Sequence, residues 1–204
     1  MRSCRIGFLL LSMIAPTMPV AGTAQTLPIA ARAEDSPLIG SVLRTVAAEI
    51  LTDQVVLTGL RQAARENDVY TMDAIIQRDV TWRLQAKRGT GPLLDTVMQG
   101  EMSRHLTLAR VPRQAVLADL MLTDDRGLLV AATRIPSDYD QSDEAKYIVP
   151  TTSDPGMVHV EEAAYDESAD DYVVAASILL IDPADGRMLG VLCANFTLAA
   201  LARD

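Results

Sequence analysis

Cysteine is nearly missing. The 204-residue chain has two, Cys4 and Cys193. Cys4 falls in an N-terminal segment with the marks of a removable leader, so one thiol remains. A single thiol closes no internal disulfide, and the fold must rest on its apolar core. Cys193 lies in an apolar run, where a thiol ordinarily serves as a small buried hydrophobe. Positive charge is also short. Lys and Arg number 18 against 27 Asp and Glu, for a formal net charge of −9. Losing Arg2 and Arg5 with the leader makes the balance more negative still. Such a surface is repelled by phosphate backbones, which excludes nucleic acid as a natural partner and disfavours anionic membrane surfaces.

Apolar runs long enough to span a bilayer are missing too. The one candidate, Ile6 to Ala15, falls short of the roughly 20 residues a span needs and is followed by Pro16 and Pro19. With Arg2 and Arg5 before it and the small residues Ala21-Gly22-Thr23-Ala24 after it, the segment reads as a signal peptide over residues 1–24. An uncleaved anchor is the competing reading. Cleavage would send the protein to the periplasm or the medium. Residues 25–36 form a leader with Pro28 and Glu34-Asp35, and residues 37–204 are long enough for one domain.

Enzyme signatures do not occur. There is no Gly-x-Ser-x-Gly elbow, no phosphate-cradling glycine loop and no His-Glu-x-x-His. The histidines, His105 and His159, stand far apart, and the acids from Asp166 to Asp171 lack the central glycine of a calcium loop. The sequence therefore points to no catalytic residues, no metal and no cofactor.

What is present is an ordered pattern of helices followed by strands. Pro37 after Ser36 opens a helix. Apolar residues then recur at helical spacing through Ile39, Leu43, Val46, Ile50, Leu57 and Leu60, and on to Met72 and Ile76. A break is expected near Asn67-Asp68. A second helix is expected over Leu93 to Leu108, ended by Pro112. The first strand is Val116 to Thr123, turning at Asp124-Asp125-Arg126-Gly127 into a second over Leu128 to Thr133. Gly127 supplies the positive φ of the turn. Further strands are expected over Met157–Ala163, Tyr172–Ile181 and Arg187–Thr197, with Gly190 marking a bulge or a close backbone approach. Helices first and hairpin-linked strands after them imply an α+β fold, with long N-terminal helices packed on a five-stranded antiparallel sheet.

Four pieces of this chain resemble the extracytoplasmic PAS-like sensor domains of the Cache, or PDC, family. They are Asp79-Val80-Thr81-Trp82-Arg83, the hairpin Leu122 to Val130, the loop Ser137 to Tyr147, and the closing hairpin Asp185 to Leu192. The resemblance implies a curved sheet with a pocket roofed by the loop after the second strand. It implies a small ligand of the amino acid, organic acid or amine class, and ligand-binding residues Tyr139, Asp143, Lys146 and Tyr147, with Trp82 and Arg83 as pocket wall or support. Tyrosines offer a ring and a hydroxyl, Lys146 a cation for a carboxylate, and Asp143 an anion for an ammonium group. Such domains usually form the outer part of membrane receptors and kinases. A chain ending at Asp204 is expected to act alone, with a separate receptor or kinase as signalling partner. The alternative is an interaction module without a small ligand, acting or dimerising through the stripe from Ile39 to Leu60.

Overall fold

The computed structural model describes residues 36–166 and 171–201. The expected signal peptide, nearly all of the leader and most of the turn after Asp166 lie outside the described residues. Helix α1 (Pro37–Thr52) leads into α2 (Gln54–Asn67), α3 (Met72–Arg88), α4 (Pro92–Met98) and α5 (Glu101–Arg110), then a 3-10 turn at Val111–Arg113. Strands β1 (Leu117–Thr123) and β2 (Leu129–Ala132) follow, then helix α6 (Ala145–Thr152). The chain continues through β3 (Val158–Val160), β4 (Ala164–Asp166), β5 (Asp171–Ile181), β6 (Met188–Thr197) and α7 (Leu198–Leu201). The sheet is antiparallel in the order β2-β1-β6-β5-β3, with β4 also paired to β5. The α+β class is as expected. Among the described residues the sheet has six strands rather than five, because the strand expected over Met157–Ala163 pairs only over Val158–Val160 and a further short strand, β4, follows it.

Two helix boundaries depart from the sequence reading. The long N-terminal run breaks at Asn67-Asp68 as expected, but also at Asp53. The Asp53 carboxylate accepts from Val55 N at 2.9 Å and Val56 N at 3.3 Å, capping α2. Its second oxygen meets His105 Nδ1 on α5 at 2.6 Å. The expected helix over Leu93–Leu108 also divides, at Gln99-Gly100. A Cβ on Gly100 would sit 2.8 Å from the Thr96 carbonyl, so the α4–α5 bend requires glycine. The Ser103 hydroxyl then donates to Val97 O at 2.6 Å and accepts from Ala132 N at 3.0 Å, fastening both helices to β2.

The sheet is covered on both faces. One face packs Leu120, Leu122, Val174, Ala176, Ile178, Leu192 and Phe196 against the buried stripe of α1 and α2, Ile39, Leu43, Val46, Ile50, Leu57 and Leu60. Burying each such side chain contributes about 1.5–3 kcal/mol, so this stripe belongs to the core and is not left over for a partner. The opposite face packs Met121, Val191 and Cys193 against Trp82, Leu94, Val97 and Tyr139. Cys193 is buried, as its apolar surroundings predicted.

Gly190 holds β6 tightly against β1. Its φ is 145°, the pairing of β5 with β6 shifts register beside it, and a Cβ there would overlap the Thr123 carbonyl. Gly190→Ala is therefore expected to cost about 2–3 kcal/mol in urea unfolding. A loss below about 0.5 kcal/mol would show that the two strands do not approach as closely as described.

Candidate functional site

The loop after β2 is folded back along that strand. Leu129 N donates to Tyr139 O and Gln141 N to Gly127 O, both at 2.9 Å, and Leu128 bridges Asp140. Gly127 has φ 83°, and a side chain there would run into the Ser142 backbone. The anchor on the helix side is Asp79. Its Oδ1 accepts from the Tyr139 and Asp140 amides at 2.9 and 3.3 Å, and its Oδ2 takes Arg83 Nε at 2.7 Å. Beneath the hairpin turn, buried Asp124 accepts from Arg126 N, Leu128 N and Asn67 Nδ2 at 2.6–3.0 Å. Burial pushes its carboxyl above the usual range, against the pull of those donors.

The expected ligand residues divide into groups. Trp82 is fully buried and donates from Nε1 to Pro136 O at 2.9 Å. Tyr139 is buried with its ring centroid 6.1 Å from that of Trp82. Its hydroxyl accepts from Arg78 at 3.3 Å, and the Arg78 guanidinium stacks over both Tyr139 and Tyr70. Arg83, bound to Asp79, also lies 3.5 Å from Asp138. These residues form an interlock of helix, loop and sheet. Asp143 is exposed, with its charge within reach of Arg83. Lys146 and Tyr147 are half-buried in the first turn of α6, a helix the sequence reading had as loop. The Tyr147 hydroxyl donates to Asp125 O at 2.7 Å, and burial with the acids Asp124, Asp125 and Asp140 pushes its pKa up to about 12.

Beside the interlock, the same sheet face changes character. Strand register places Ala175, Asn195 and Asp119 in one row across β5, β6 and β1, and Glu161, just past β3, joins it by donating its N–H to Ala175 O at 2.8 Å. The neighbouring row is His159, Ser177, Cys193 and Met121. Cross-strand partners project to one face, so both rows share it. The centre of this patch carries only the small side chains Ala175, Ser177 and Cys193. Ala175 remains partly accessible on an inner strand, while Ser177 and Cys193 are buried, so the opening is confined to the surroundings of Ala175. Helix α6 closes the adjoining part, with Cys193 Sγ 4.0 Å from the Lys146 carbonyl.

Polar groups surround this opening. Ser177 Oγ and His159 Nε2 are buried without a hydrogen-bond partner, and His159 Nε2 stands 3.7 Å from Glu161. Asp119 accepts from Asn195 Nδ2 at 3.3 Å and lies 3.9 Å from Arg134, which also reaches Asp166 at 4.0 Å. Burial raises the Asp119 carboxyl, outweighing Asn195 and Arg134. The sequence reading missed these residues, because register joins positions as far apart as Asp119 and Asn195. The run of small residues Ala175-Ala176-Ser177 was the available signal. Among the described residues no three His, Cys, Asp or Glu converge as a metal site.

No protein-family model and no curated protein matches the sequence. Solved structures do. One is the ligand-binding domain of the Campylobacter jejuni chemoreceptor Tlp3 in complex with 4-methylisoleucine, at 13% identity and TM-score 0.41, covering 88% of this chain and 64% of that one. Another is the ligand-binding domain of the Pseudomonas aeruginosa PAO1 amino acid chemoreceptor PctC in complex with GABA, at 17% identity and TM-score 0.39, covering 82% and 65%. A third is that of the Pseudomonas fluorescens chemoreceptor CtaA with L-serine, at 14% identity and TM-score 0.36, covering 81% and 60%. The chain spans less than two thirds of the length of these three. No helix among the described residues is long and apolar enough to cross a membrane.

Two outcomes follow from this geometry. Asp79→Ala removes a charged acceptor from two loop amides and is expected to cost about 2 kcal/mol, with faster hydrogen exchange at Tyr139 and Asp140. Unchanged exchange there would show that the loop is held by other contacts. For Asp119 the folded state takes up its proton at higher pH than the unfolded chain. Its contribution to stability therefore falls as pH rises from the ordinary value of 3.8 through the raised one. The melting temperature of Asp119→Asn, relative to the parent, is expected to rise between pH 3 and pH 7. A difference that falls over that range would contradict the burial penalty.

Proposed function

We propose that the chain is a small-molecule sensor domain of the Cache type, with its ligand seated on the sheet face over Ala175, beside the buried Ser177 hydroxyl. The observation that carries this reading is the buried, unpartnered Ser177 hydroxyl next to the partly accessible Ala175 on the same strand face. A buried polar atom without a partner costs roughly 1–3 kcal/mol, and a ligand that supplies the partner recovers it. Three strand spacings of about 4.8 Å separate Glu161 from Asp119, which leaves room between them for a molecule of amino acid or short amine size. An ammonium group is recognised by either acid. Lys146 and Tyr147 roof the site from α6, and Lys146 supplies a cation for a carboxylate. Asp79, Trp82, Arg83 and Tyr139 hold the roof in place, and Asp143 marks its solvent side.

In this reading the protein is exported behind residues 1–24 and performs no chemistry itself. Occupancy is read by a separate membrane receptor or kinase. The alternative of an interaction module acting through Ile39 to Leu60 is less well supported, because that stripe packs in the core.

The test is a thermal-shift screen of amino acids, organic acids, amines and purines. A ligand at about a hundredfold over its dissociation constant adds roughly 2.7 kcal/mol, a rise of roughly 5–10 °C for a domain of this size. Ala175→Leu fills the opening and is expected to abolish the rise while leaving the protein folded. Flat traces across the whole panel, or a rise that survives Ala175→Leu, would contradict the site.

A further inference from the structure

Helix α3 buries one side, through Ile75 and Trp82, and turns a second apolar stripe outward. Met72, Ile76, Val80 and Leu84 recur every four residues and are 65%, 50%, 47% and 51% exposed. They form one continuous ridge over about 18 Å of helix. Single exposed apolar residues need no explanation, but a contiguous ridge marks a surface that meets another molecule.

The charges on this face identify the occupant. Asp73, Val80 and Lys87 are one heptad apart, and both charged residues are exposed. The acidic residue stands near the start of the helix and the basic one near its end. A second copy of the same helix, running antiparallel and crossing at Val80, sets Val80 against itself. Ile76 then faces Leu84 of the second copy, and Asp73 faces its Lys87. The pattern is complementary to its own reverse, which is the condition for a closed twofold contact. A parallel copy would instead place Asp73 on Asp73 and Lys87 on Lys87.

We infer that α3 is a self-association surface, through which two copies of this chain pair antiparallel about Val80. The contact is separate from the ligand patch and does not depend on it. One helix against one helix makes a small interface, so the dimer is weak and reversible. Exposed ion pairs add little energy, and the Asp73–Lys87 pairing chiefly sets direction and register.

Analytical ultracentrifugation of the full chain across the micromolar range tests this. The expected result is a dimer that grows with concentration. Val80→Glu, at an exposed position, is expected to weaken association more than about tenfold with an unchanged melting temperature. Asp73→Lys and Lys87→Asp each weaken it, and the two together restore it. A monomer at every concentration would overturn the proposal and leave the ridge to a different protein. A dimer indifferent to Val80→Glu, or a double reversal that fails to restore association, would also overturn it.

Discussion

The structure depends on one carboxylate. Asp79 reaches from α3 to two successive amides of the loop after β2, and its other oxygen is held by Arg83. Without it, the loop keeps its backbone bonds to β2 but loses its charged tie to α3, and Asp138, Asp140 and Ser142 favour solvent or local turns. With it, Tyr139 enters the core beside Trp82, and the chain arrives at α6 in position to cross the strands. The aromatic pair then fills one part of the sheet face and leaves the other part to small side chains. Anchor and opening are thus two consequences of a single fastening.

That division explains why the face carries two chemistries. Where Trp82, Tyr139, Leu94 and Val97 pack, every indole and phenol polar atom has a partner within the fold. Where Ala175 and Ser177 face outward from the strands, polar atoms are left without partners and Asp119 carries a burial penalty. Stability alone would favour larger apolar side chains and fewer acids here. Local departures of this kind are the usual mark of a place kept for something else.

Local chemistry made much of the fold legible. The turn from Asp124 to Gly127 and the break at Asn67-Asp68 are both set by residues within a few positions of one another. The break at Asp53 was hidden because half of its carboxylate's bonding comes from His105, on another helix. Helix α6 was hidden because Pro150 lies within it and a polar loop precedes it. The patch was hidden for a different reason. Asp119, Ser177, His159 and Asn195 become neighbours only through strand register, which depends on every turn between them. The loop residues Lys146 and Tyr147 were visible in sequence, while the patch was not.

The central claim is that a small molecule sits on one face of β5. Adjacent alanines on that strand report on opposite faces: Ala175 on the open patch and Ala176 on the core against α1 and α2. A methyl NMR titration of alanine-labelled protein with the molecule that most raises its melting temperature reads both at once. The account predicts a saturable shift of the Ala175 methyl with little change at Ala176. Saturable binding that leaves Ala175 unmoved, or that instead moves Ala63, which lines a groove between α2, α4 and α5 with Gly59, Thr96 and Met102, would contradict it.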